Sequence, residues 1–140
     1  MTHILKGAML VFAAMALLVG CTTDPVNPNP QNPQISSDAA WRVTWYWDKD
    51  KDETSDYAQY TFYFRSNGQF EALQNSTATT GTWRITSSDG TQRLVISTST
   101  SKPLSNLNDD WVILESGDQI IRLKDDNTTH LEELNFERVE

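Results

Sequence analysis

The sequence predicts an all-β domain, an antiparallel up-and-down meander of about eight strands, behind a short apolar leader. Three observations carry this expectation. Beyond residue 40, apolar and polar residues alternate with a period of two; turn pairs such as Asn67-Gly68 and Asp89-Gly90 punctuate the short runs; and helical periodicity is nearly absent.

The leader comes first. Lys6 precedes an uncharged apolar run from Ala8 to Val19, which ends in Leu18, Val19, Gly20 and Cys21. Such a run is shorter than the roughly 20 apolar residues that span a bilayer as a helix, and a small-residue site before a cysteine marks a secretory signal with a lipobox. Residues 1–20 are therefore expected to be a lipoprotein signal peptide, with lipidation at Cys21, the only cysteine in the chain. Several acyl chains at about 0.8 kcal/mol per buried methylene would hold the protein on a membrane. Residues 21–39 hold four of the five prolines among polar neighbours and read as an extended linker. The rest, 40–140, is one domain's worth of chain.

Each strand then follows from its alternation. Trp41, Val43, Trp45 and Trp47 share one face of the first, with Arg42, Thr44 and Tyr46 on the other. A single helical turn is expected around Glu53 to Tyr57, with Thr54 as its cap. The second strand carries Tyr60, Phe62 and Phe64 inward and turns at Asn67-Gly68, a strong hairpin signal. Phe70 and Ala72 point inward on the return. Gly81 opens a fourth strand with Trp83 and Ile85 inward, and a fifth, from Gln92 to Thr98, buries Leu94 and Ile96. A longer crossing from Lys102 to Asn108 leads to Trp111 and Ile113 on a sixth. In the seventh, Ile120 and Arg122 compete with Ile121 and Leu123 for the inner face, because a slip of one residue exchanges the two faces. Leu134 and Phe136 alternate on the last strand. Closure into a barrel would remove exposed edges; a flattened sandwich is the other closure open to the pattern.

With Trp41 opening its first strand, the run Tyr60 to Phe64 before Asn67-Gly68, the triplet Gly81-Thr82-Trp83, the pair Asp110-Trp111 and Arg138 on its last strand, the domain resembles the lipocalin-like, calycin-type domains of small bacterial lipoproteins. The resemblance covers about residues 40 to 139. It implies a closed or nearly closed barrel in which Trp41 packs at the closed end and Arg138 lies across it, a structural pair joining the first and last strands.

Charge and residue inventory narrow the chemistry. The chain has 19 acidic against 11 basic residues and no basic run, which argues against nucleic acid as a partner. Asp48, Asp50 and Asp52 alternate like the first ligands of a calcium loop, but Glu53 occupies the glycine position and Gln59 that of the bidentate glutamate, so a solvated loop and no metal are expected. His130 is the only histidine after the leader, and no nucleophile elbow accompanies it. The chain is thus expected to be no enzyme and to need no cofactor.

An eight-stranded barrel is just wide enough to be filled by its own side chains or to hold one small ligand. Trp45, Trp47, Tyr60, Phe62, Phe70, Trp83 and Trp111 are the residues that would line such a pocket. Two readings of function follow: a membrane-anchored cell-envelope lipoprotein binding a small apolar ligand or envelope component, or a packed barrel serving as a protein-interaction or structural module of an envelope complex. Thr22 stands where an aspartate would retain a lipoprotein at the inner membrane, so the expected location is the outer membrane or cell surface.

Overall fold

A computed structural model describes residues 34–140 of the chain. Cys21 and most of the linker lie outside the described residues.

The strands are β1 (Ala40–Asp48), β2 (Lys51–Asp52), β3 (Thr61–Phe64), β4 (Gln69–Gln74), β5 (Thr77–Ser88), β6 (Thr91–Ser97), β7 (Asp109–Ser116), β8 (Ile120–Lys124) and β9 (Glu132–Arg138). Consecutive strands from β3 to β9 pair antiparallel, and β1 pairs with both β3 and β9. The sheet therefore closes into an eight-stranded barrel with β2 as a two-residue flap on the end of β1. The seam runs from Trp41 opposite Arg138 to Asp48 opposite Glu132.

Tight turns set the register. Asn75 and Ser76, with φ of 48° and 67°, join β4 to β5, and Asp89 and Gly90, at 51° and 74°, join β5 to β6. Both central residues at positive φ is the turn twist that matches paired strands. At Gly68, with φ of 86°, the Asn67 side chain accepts the Gln69 amide, which closes the β3–β4 hairpin.

Alternation fills the barrel with Phe62 and Phe64, Phe70 and Ala72, Leu94 and Ile96, Ile121 and Leu123, and Leu134 and Phe136, all buried. The face of β8 left open by its sequence is thus settled: Ile121 and Leu123 point in, while Arg122 and Lys124 are exposed. Each large apolar side chain fully buried contributes about 1.5–3 kcal/mol.

On β1 the structure corrects the expected faces. The ladder to β9 slips between Val43 and Trp45, so Val43 faces Phe136 and Trp45 faces Asn135, with Thr44 as the extra residue of a β-bulge. One inserted residue inverts the alternation beyond it. Tyr46, expected outside, is buried in the core, and Trp45 and Trp47, expected inside, lie half-buried on the outer wall. A second slip, at Leu114 between Ile113 and Glu115, leaves Leu114 57% exposed.

Two 3-10 turns close the end of the barrel away from Trp41. Thr54–Tyr57 buries Tyr57, and Leu104–Leu107, inside the long crossing, buries Leu104 and Leu107. The Tyr57 hydroxyl donates to the Pro103 carbonyl at 3.0 Å, and the Trp111 indole donates to the Leu107 carbonyl at 3.0 Å, which ties both turns to the core. Thr54 does not cap its turn as expected; its hydroxyl accepts the Tyr46 amide at 2.9 Å instead, serving the strand.

Candidate functional site

Three places can carry function: the barrel interior, an outer groove on the β1–β9–β8–β7 wall, and a carboxylate cluster at the capped end.

The interior brings together Tyr60, Phe62, Phe70, Trp83 and Trp111 from the expected pocket lining, but against one another. Phe62 meets Phe70 at 5.7 Å between ring centroids and Phe136 at 5.5 Å, while Phe64 meets Phe70 at 5.2 Å and Trp83 at 5.6 Å. Tyr46 fills the other half, 5.2 Å from Tyr57 and 6.5 Å from Trp111. Where a ligand would enter opposite Trp41, Tyr57, Leu104 and Leu107 stand buried. Burial raises the Tyr46 and Tyr57 phenols well above the usual tyrosine range, with neighbouring carboxylates adding to it, so both stay neutral donors.

Trp41 packs edge-on against Phe64 at 6.4 Å, and its indole donates to the Ser36 carbonyl at 3.4 Å. Arg138 sits opposite it in the seam ladder and is exposed. A guanidinium over a ring occurs at Arg65, 4.3 Å from the Tyr63 centroid and 3.1 Å from the Glu71 carboxylate.

The outer groove owes its existence to the two bulges. Thr44, Trp45, Leu114, Arg122, Glu133 and Asn135 line a volume of about 350 Å³. Trp45 and Trp47 run parallel, 9° apart with centroids separated by 5.8 Å. Their N–H groups are already satisfied, Trp45 by Glu133 and Trp47 by the Lys49 carbonyl, each at 2.9 Å. The ring faces turned away from the stack are what remain to offer.

The cluster joins Asp109, Asp125 and Glu132, whose carboxylate oxygens lie within 4.8 Å of one another. Asp48 faces Glu132 across the seam. Burial raises the Asp109 and Glu132 carboxyls above the usual range; Asp125 adds to both shifts, and Asp48 to that of Glu132. Crowding and partial burial of like charges favour proton uptake by Asp109 and Glu132. Sequence reasoning missed the cluster, because its members come from the start of β7, the residue after β8 and the start of β9 and meet only through closure. The alternating Asp48, Asp50 and Asp52 do not converge as a calcium loop: Asp52 accepts the Thr54 amide, and Asp50 is exposed.

Comparison with protein-family models, with curated proteins and with solved structures finds no match to the chain, so the reading of function rests on its own residues.

Proposed function

We propose that the chain is a membrane-anchored, non-enzymatic cell-envelope lipoprotein whose closed barrel recognises an envelope component with its outer wall. The leader pattern ending at Cys21 supports the anchor. One observation carries the choice between the two expected readings: rings in mutual contact and two capping turns fill the space a small apolar ligand would need. The barrel then acts as a rigid wall that carries a binding face, and the linker gives that face reach from an outer membrane or cell surface.

The anchor is tested by metabolic labelling with a fatty acid. Wild-type protein incorporates label and sediments with membranes, whereas Cys21→Ser does neither. The filled barrel is tested by native mass spectrometry and fluorescent fatty-acid displacement on the purified chain. No retained small molecule and no displacement are expected; stoichiometric retention of a lipid would overturn the outer-wall reading.

A further inference from the structure

We propose that the outer groove beside Trp45 is a binding site for a neutral oligosaccharide. This inference rests on the outer-wall reading and names its ligand class.

The argument begins with register. Trp45 pairs with Asn135, Asn135 with Arg122, and Arg122 with Glu115, so one row of outward side chains crosses β1, β9, β8 and β7. At about 4.8 Å per strand the row is about 14 Å long. It begins in a half-buried indole whose neighbour Trp47 runs parallel to it, which offers apolar aromatic surface at one end. The C–H faces of a pyranose ring match such a surface.

Charge decides which ligand suits the rest. Every charged group in the groove already has a partner: Arg122 reaches Glu115 at 2.7 Å, Glu133 accepts the Trp45 indole at 2.9 Å, and Glu137 lies 3.7 Å from Arg42. The polar side chains of the groove that show no partner among the described residues are uncharged, the Thr44 hydroxyl and the Asn135 carboxamide. Together they offer donors and acceptors to hydroxyl groups, and the groove charge without an ionic partner among the described residues, Glu133, is negative and already accepts the Trp45 indole, which disfavours an anion. An anionic polymer would also meet a chain of formal charge −8. A sugar chain satisfies the indole, the carboxamide and the hydroxyl at once. The bulge at Thr44 is the device that creates the site, because it turns both Thr44 and Trp45 toward this wall.

The test is isothermal titration of the detergent-solubilised full chain with short neutral oligosaccharides of glucose, mannose, xylose and N-acetylglucosamine. At least one is expected to bind. Trp45→Ala should weaken it by about tenfold, the scale of one aromatic contact, and Asn135→Ala should weaken it as well. Arg84→Ala, on the exposed side of β5, should leave affinity unchanged. Thermal melts followed by circular dichroism verify that each variant folds. No binding across the panel, or binding that survives both groove substitutions, overturns the proposal. A photo-crosslinker at position 114 separates this failure from that of the outer-wall reading. A protein captured there by a chain that binds no sugar overturns the saccharide and supports the wall, whereas a lipid retained in the barrel overturns the wall itself.

Discussion

At the scale of the residue, position 46 decides what the interior is made of. Tyr46 is 1% exposed, its backbone amide is held by Thr54, and its ring contacts Tyr57 and Trp111. Trp45, the larger side chain, is half outside. Tyr46→Ala should cost about 4 kcal/mol, the range for removing a buried aromatic, and Trp45→Ala less than about 1 kcal/mol. Chemical denaturation of the two variants measures both, and the reverse order would refute the bulge. Gly81 is a second position where one atom matters. A Cβ there would overlap the Ser97 carbonyl and come within 2.7 Å of the Thr98 Cα, both backbone and unable to swing aside. Gly81→Ala should therefore cost about 3 kcal/mol or more through overpacking, read from the same denaturation curves.

At the scale of the element, hairpins and bulges divide the legible from the illegible. Phe62 and Phe64 with Asn67-Gly68, and Leu94 and Ile96 after Asp89-Gly90, fold as their alternation and turn chemistry say, because each strand there needs only its neighbour. The bulge at Thr44 left no such trace. Trp41, Val43, Trp45 and Trp47 alternate without a break, and the extra residue is fixed only by pairing with β9, about 90 positions away. The plug at Leu104–Leu107 was hidden for a related reason: two leucines in a polar crossing mean little until a barrel end needs filling. The β4–β5 turn carries no strong signal either, since Asn75-Ser76 lacks the glycine of the usual pair. Ser76 adopts φ of 67°, where a side chain is strained. Ser76→Gly should thus stabilise the hairpin by about 0.5–1 kcal/mol, a rise of about 2–6 °C in Tm by calorimetry. No rise, or a fall, would mean that the turn is not the tight one described.

At the scale of the whole molecule, closure has an electrostatic consequence. Sealing β1 onto β9 brings Asp48 opposite Glu132, and winding β7 and β8 beside them adds Asp109 and Asp125 at the same end. The unfolded chain keeps these carboxylates apart in water; the barrel crowds and partly buries them. Asp109 and Glu132 consequently hold protons more tightly folded than unfolded. A group whose folded pKa is raised gives stability that is present below the unfolded pKa, about 4 for a carboxylate, and is lost as pH rises through the folded value. At neutral pH the barrel therefore carries the full repulsion. Asp109→Asn removes the charge while keeping an oxygen that can accept the Asp110 amide now bonded at 2.7 Å. Because the cluster is partly open to solvent, the gain should be at most about 1 kcal/mol. It should appear as a higher Tm at pH 7, shrink as pH falls through the folded value, and vanish only well below pH 4, where Asp109 of the parent protein is protonated in both states. A gain independent of pH would place its origin outside the charge, and a loss at pH 7 would show that the carboxylate holds the end of β7 in a way that outweighs its repulsion.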